Sequence, residues 1–367
     1  MLEEILNTRI MVKQCMKTYK NDKALLKLLD ARQLGLKLIA NVTFGYTAAN
    51  YSGRMPSVEV GDSIVHKARE TLERAIKMVN ETKKWGAKVV YGDTDSMFVL
   101  LKGVTKEQAF KIGNEIAEAV TATNPKPVKL KFEKVYLPCV LQTKKRYVGY
   151  MYESLDQMKP VFDAKGIETV RRDGCPAVSK ILERSIKLLF DTRDISQVKQ
   201  FVQRQCVKVL DGRASVQDLT FAKEYRGAGA YRPGACVPAL ELTRRMMVYD
   251  RRQEPRVGER VPYVIVYGMP GLPLIQLVRR PMEVLQDHSL RLNATYYITK
   301  QILPPIARIF QLIGVDVFSW YQELPRVRNT LKQYFFCQST TPHTSTSMCT
   351  KPAPACCGHS VVRCEGL

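Results

Sequence analysis

At 367 residues, with 45% hydrophobic and 25% charged side chains, the chain has the make-up of a globular protein of two or three domains, which excludes a disordered or fibrous class. Charge is the departure: 57 lysines and arginines against 35 aspartates and glutamates give a formal +22. Such an excess repels itself unless a polyanion lies against it, and nucleic acid is the commonest partner of that kind, although a solvated basic surface carries the same charge.

Two helical patterns open the chain, LEEILNTRIMVKQCMKTYK and ALLKLLDARQLGLKLIANVTFGY, with Asn21 and Asp22 between them, so an antiparallel helical hairpin is expected. Arg9, Lys13 and Lys17 recur at i, i+4 and i+8 on the first; Gln33, Lys37 and Asn41 repeat that spacing on the second. A solvated face explains either stripe separately. Two stripes on facing helices, upstream of an acidic hairpin, fit a clamp for a triphosphate.

Residues 51–61 are turn-rich, and Asp62 or Ser63 is expected to cap a long helix reaching Trp85 and Gly86. Then comes YGDTDS (residues 91–96), two acids one residue apart at a turn between short apolar β runs. The expectation is a β-hairpin with Asp93 and Asp95 on one face at its tip, able to converge on Mg²⁺, which takes one or two carboxylates and fills its other positions with water and phosphate oxygens. A bare DxD is more often a solvated turn. Thr105 with Gln108 reads as a capping box for the next helix, and VKLKFEKVY (residues 128–136) alternates as a strand with Lys129, Lys131 and Glu133 on one face.

Next is TKKRY (Lys144, Lys145, Arg146, Tyr147) between apolar strands LPCVL and VGYMY, a group that can reach a duplex backbone or simply guard a sheet edge against aggregation. KGIETVRRD adds Lys165, Arg171 and Arg172, and from Cys175 to about Pro325 the pattern is mainly helical and basic. The order of elements predicts an α+β fold: a helical hairpin, a small antiparallel sheet with helices on one face, and a mainly helical domain. The longest apolar stretch, residues 302–320, is broken by Pro304, Pro305, Arg308 and Asp316 and is not expected to span a membrane.

Cys15, Cys139, Cys175, Cys206 and Cys236 are scattered, as reduced core residues are. Cys337, Cys349, Cys356, Cys357 and Cys364 crowd the end beside His343 and His359, but no CxxC pair occurs there and Ser, Thr and Pro abound. A disordered tail is expected over a metal module.

Lys37, Asn41 and Gly45 in KxxxNxxxG, followed by YGDTDS, TKKRY and KGIETVRRD in that order, resemble the C-terminal half of a family B DNA polymerase of the translesion type. The resemblance covers residues 1 to about 336. It implies fingers over residues 1–50, palm over 51–165, thumb over 166–330 and a divergent tail over 331–367. Arg9 and Lys13 then look like phosphate ligands, Lys37 like the residue contacting the leaving pyrophosphate, Asn41 like a triphosphate orienter, and Phe44 and Gly45 like the floor beneath the nascent base pair. Asp95 resembles the direct metal ligand and Asp93 its neighbour; Glu133 resembles a carboxylate able to hold an additional ion, or is a solvated strand residue.

Lys144, Lys145, Arg146 and Tyr147 would contact new duplex, supported by Lys165, Arg171 and Arg172. The implied activity is nucleotidyl transfer from a dNTP to a primer 3′-hydroxyl by two-Mg²⁺ chemistry on primer-template DNA, in the nucleus. The family's second metal carboxylate lies in a DxxSLYP-like motif upstream of the fingers. That motif is not in these 367 residues, so the chain reads as a fragment inactive alone. The zinc and iron–sulfur modules that dock accessory subunits in this branch are also expected to be lacking, for want of paired CxxC motifs, which puts that docking in doubt. From another function class, a non-catalytic primer-template DNA-binding chain fits the same basic motifs.

Overall fold

One carboxylate oxygen of Asp22 accepts the backbone N–H groups of Ala24 and Leu25, each at 3.0 Å, and this cap starts the second of two facing helices. They are α1 (Leu2–Thr18) and α2 (Lys23–Ala48), the expected hairpin. The structure is a computed structural model describing residues 1–49, 56–126, 128–325 and 360–365, the last segment with the Arg363 side chain alone. Much of the turn-rich connection and most of the Cys-rich tail lie outside the described residues.

Helix α3 (Val58–Glu81) starts after Ser57 rather than at Asp62 or Ser63. One local bond and one tertiary contact accompany the earlier start. The Gly61 N–H bonds to the Ser57 carbonyl at 3.1 Å, and Ala48 packs so closely that a Cβ on Gly61 would lie 3.2 Å from its Cα. Strands β1 (Ala87–Asp93) and β2 (Ser96–Leu101) then pair antiparallel, and α4 (Lys106–Thr123) begins directly after Thr105, as its cap signal suggests.

Strand β3 (Lys131–Thr143) is longer than its alternating stretch because the chain passes through Pro138 with a register shift between Tyr136 and Cys139. Strands β4 (Arg146–Tyr152) and β5 (Val161–Lys165) follow. Beyond them come α5 (Pro176–Thr192), α6 (Ile195–Leu210), α7 (Val216–Leu219), β6 (Phe221–Glu224), α8 (Pro238–Tyr249), β7 (Arg260–Ile265), β8 (Val278–Arg279), α9 (Pro281–Gln286) and α10 (Ala294–Tyr296). A π-helical turn over Tyr297–Ile302 leads into α11 (Leu303–Phe310) and α12 (Val317–Gln322), and β9 (Ser360–Glu365) lies in the tail.

The chain forms two compact units. The first holds Met1–Lys102, Glu107–Lys134 and Val362–Leu367; the second holds Gly103–Lys106 and Val135–Val361. In the first unit the strand order is β1-β2-β9-β3, with residues 131–134 as the β3 portion. Met97, Val99, Leu101, Ile116 and Val120 are fully buried there, and Phe110 meets Phe132 edge-on with ring centroids 5.2 Å apart. In the second unit β3, β4 and β5 run antiparallel. A core of Leu182, Ile186, Val198, Tyr297, Leu303 and Phe310 joins its helices.

The α+β class is as expected, with two additions. The helical half contains a three-stranded antiparallel sheet, β6-β7-β8. Its strands are too short to show a period of two; Phe221, stacked on Tyr263 at 5.3 Å and Tyr297 at 5.6 Å, anchors them instead. The second addition is β9, in a tail expected to be disordered. Val361 and Val362 favour extended backbone, but a partner sheet is what makes them a strand.

Candidate functional site

The acidic motif forms the expected hairpin. Asp93 pairs with Ser96, leaving Thr94 and Asp95 as a two-residue connection. One detail differs. Asp95 lies in the turn, not in strand alternation with Asp93, and Thr94 between them takes φ 59°, the left-handed region a β-branched residue avoids. That strain, about 1–2 kcal/mol, is held by a dense set of local bonds. The Asp95 N–H donates to the Asp93 carbonyl at 2.7 Å, the Ser96 hydroxyl to the same carbonyl at 3.2 Å, and the Thr94 hydroxyl to Asp93 Oδ1 at 3.2 Å.

Asn80 Oδ1 accepts the Val89 N–H at 2.9 Å and fastens β1 to α3. The result is an exposed Asp95 beside a half-buried Asp93, on a hairpin whose other strand is core. This donor set fits a Mg²⁺ ion held by one or two carboxylates and otherwise by water and phosphate. Among the described residues no three His, Cys, Asp or Glu side chains converge into a fuller cage. Glu133 is placed elsewhere in its chemistry: its Oε2 lies 3.9 Å from Arg363 Nε.

The cationic stripes do meet. Arg9 donates from Nε to the Gln33 carbonyl at 3.3 Å and from Nη2 to Gln33 Oε1 at 3.4 Å, tying α1 to α2. Desolvation, and then the neighbouring charges of Arg9, Lys131, Lys37 and Lys17, hold the Lys13 ammonium below the ordinary lysine value. Lys131 was not singled out from the sequence, although the alternation of VKLKFEKVY had set it on one face. Lys13, Lys37, Asn41, Phe44 and Gly45 are all exposed.

Gly45 sits inside α2, and a Cβ there meets no atom within 4 Å, so nothing in the fold requires glycine. Gly45→Ala should stabilise the helix by about 1 kcal/mol and, on the role the resemblance implies for Gly45, weaken dNTP binding. Thermal denaturation and a nucleotide titration read the two opposite signs.

In the second unit the basic groups separate into two kinds. Lys144 and Lys145 are exposed at the tip of the β3–β4 hairpin, where Thr143 pairs with Arg146 and Lys145 takes φ 61°. Arg146 turns inward: Glu168 Oε1 accepts from Arg146 Nη2 at 2.6 Å and from Arg308 Nη2 at 2.7 Å. Tyr147 is 6% exposed, its ring edge-on to Tyr136 at 6.2 Å, and so serves as core rather than as a surface contact.

Lys165 is exposed beside Asp163 Oδ1 at 3.4 Å. Arg171 grips Asp173 with two bonds of 3.0 and 2.6 Å, which holds the Asp173 carboxyl below its usual range. Arg172 is exposed while its carbonyl accepts from Arg260. Lys145→Gly should stabilise the unit by about 1 kcal/mol by relieving the left-handed backbone. On the duplex contact the resemblance implies, the same change should lower duplex affinity and reduce the salt slope by about one charge, read by calorimetry and by binding at several ionic strengths.

Comparison with known proteins bears on this arrangement. A family model described as DNA polymerase family B matches residues 1–313. The chain is 76% identical over 369 residues to the DNA polymerase zeta catalytic subunits of Mus musculus and Homo sapiens, covering 95% of this chain and 12% of each relative. It is 50% identical over 326 residues to the Saccharomyces cerevisiae zeta catalytic subunit, covering 88% of this chain and 22% of that one. The chain thus spans a small part of the length of these relatives. In fold it is similar to the family B DNA polymerase of the hyperthermophilic archaeon Pyrobaculum calidifontis, with TM-score 0.58 and 24% identity over 86% of this chain and 38% of that one. A match running from the first helix through the acidic hairpin and most of the helical half leaves one assignment: the chain belongs to DNA polymerase family B.

Proposed function

We propose that the chain is the nucleotide- and duplex-handling part of a zeta-type DNA-directed DNA polymerase, acting in translesion synthesis in the nucleus. The carrying observation is the pair of bonds by which Arg9 on α1 meets Gln33 on α2, joining the two cationic stripes in the same unit as the acidic hairpin, where desolvation and then the charges of Arg9, Lys131, Lys37 and Lys17 hold the Lys13 ammonium below the ordinary lysine value. Positive groups that lower one another's basicity repel, and a polyanion of compact shape relieves them. A dNTP triphosphate has that shape.

Arg9 and Lys13 bind the phosphates, with Lys131 as an added contact; Lys37 meets the leaving pyrophosphate and Asn41 orients the chain of phosphates. Phe44 and Gly45 offer a flat, unobstructed face to the base. Asp95, with Asp93 beside it, holds the divalent cation that supplies charge neutralisation during nucleotidyl transfer. Lys144 and Lys145 position the duplex through its phosphates, with Lys165, Arg171 and Arg172 in support and Arg146 and Tyr147 holding the hairpin from within. Members of the family work with divalent cations, DNA and dNTPs; Mg²⁺ is the hard cation this carboxylate pair suits. The zinc and iron–sulfur modules and accessory-subunit docking remain outside the proposal, since the tail cysteines lie outside the described side chains.

With two carboxylates at the hairpin, cation affinity is low, so the isolated 367 residues should bind primer-template DNA in a salt-sensitive way without extending it. Primer extension with Mg²⁺ and four dNTPs, beside duplex binding at increasing salt, is the test. Extension by the isolated chain overturns the need for a further carboxylate. Failure to bind duplex overturns the polymerase reading and the non-catalytic DNA-binding alternative together.

A further inference from the structure

Three parts of the second unit meet at Glu168, just beyond β5. Its Oε1 accepts from Arg146 Nη2 on β4 at 2.6 Å and from Arg308 Nη2, in the last turn of α11, at 2.7 Å. Its backbone carbonyl accepts the Ser179 hydroxyl of α5 at 2.8 Å. All of these residues lie within one compact unit.

The three charged side chains are unequally covered: Glu168 is 19% exposed, Arg146 25% and Arg308 43%. Arg146 Nε is buried and, among the described residues, meets no acceptor, so that guanidinium leans on the Glu168 carboxylate. Arg308 has less need of a partner, because a cation in the last turn of a helix is already favoured by the helix dipole. It nevertheless reaches a carboxylate 140 residues away in sequence.

What Arg308 gains by this is a hold on the β3–β4 hairpin. Arg146 closes that hairpin by pairing with Thr143, directly after the exposed Lys144 and Lys145. Two residues before Glu168, a Cβ on Gly166 would collide with the Lys145 carbonyl oxygen. The tip therefore rests on residues 166–168 at two points, by backbone approach and by ion pair, and Arg308 bonds the same oxygen as Arg146.

We propose that Glu168 and Arg308 are positioning residues: through one shared carboxylate oxygen, helix α11 fixes where the Lys144–Lys145 tip is held. This rests on the duplex role proposed above for the two lysines. Arg308 acts on the duplex through Glu168 and Arg146, without touching it. Charge-assisted bonds converging on one acceptor join the two elements more firmly than a neutral contact would.

Arg308→Gln is the test, because it leaves the Arg146–Glu168 pair in place. Hydrogen exchange on the full chain, followed by mass spectrometry with no DNA present, should accelerate about fivefold in residues 141–147, the scale of a half-exposed ion pair. Helix α6 should keep its protection, and Arg308→Lys, which retains the charge, should restore most of what the hairpin lost. Unchanged exchange in residues 141–147 in Arg308→Gln overturns the proposal.

Duplex binding supplies a second readout. Arg308→Gln should lower affinity about fivefold in the otherwise unaltered chain and have little effect in a Lys144→Gln/Lys145→Gln chain, compared at a salt concentration where both bind. An equal fall in the two backgrounds makes Arg308 a duplex contact in its own right and overturns its positioning role. An unaltered chain that binds no duplex defeats the polymerase reading, and the exchange result then decides the coupling of α11 to the hairpin by itself.

Discussion

Gly166→Ala should destabilise the second unit by about 3 kcal/mol or more, the largest stability effect expected of a single methyl group at the described glycines. Gly166 has φ +68°, and a Cβ built there would lie 2.2 Å from the Lys145 carbonyl oxygen and 3.2 Å from Arg146 Cγ. Both penalties act together: a left-handed backbone that alanine resists, and a collision with backbone that no side-chain rotation relieves. Because Lys165 pairs with Tyr147 across β5 and β4, the displaced atoms are those that hold up the Lys144–Lys145 tip and aim Arg146 at Glu168. Calorimetry should show a lower melting temperature, and duplex affinity should fall with it. A Gly166→Ala chain that melts unchanged would mean the close approach at Lys145 is not a property of the folded protein.

Asp95→Asn, placed in a full-length zeta catalytic subunit, should reduce primer extension by about a thousandfold, equivalent to about 4 kcal/mol of lost transition-state stabilisation. Asp93→Asn should cost less. Asp95 is exposed at the turn and available to a cation, whereas the half-buried Asp93 accepts the Thr94 hydroxyl and shapes the turn. Neither change touches the Lys144–Lys145 hairpin, so duplex affinity should stay within about twofold. The amide keeps the size of the carboxylate and one acceptor oxygen, so a large loss points to the charge. Undiminished extension by Asp95→Asn would remove the acidic hairpin from the reaction.

The parts of the site that were legible in the sequence are those made by neighbours in the chain. A two-residue turn between apolar runs announced the Asp93–Ser96 hairpin, and Asp22 announced the start of α2. TKKRY likewise marked the second hairpin. Each depends on contacts a few residues apart, where spacing and residue type carry nearly all the physics.

What a residue does after the hairpin forms was less legible. Arg146 and Tyr147 stand beside Lys144 and Lys145 in sequence, yet Arg146 is committed to Glu168 and Tyr147 to Tyr136, partners 22 and 11 residues away. A local basic run does not say which of its members face water. Lys131 joins the Lys13 cluster from a strand, and only folding brings a strand near α1.

Composition and periodicity carried this protein's α+β class and basic character, and the resemblance of its ordered motifs carried its family and the acids and lysines of its candidate site. Tertiary structure decided that Arg146 is committed inside the fold, because that depends on long-range partners such as Glu168, which Arg308 also meets. It also decided that residues 360–365 form a strand, since two valines alone do not specify β structure and pairing within a sheet does.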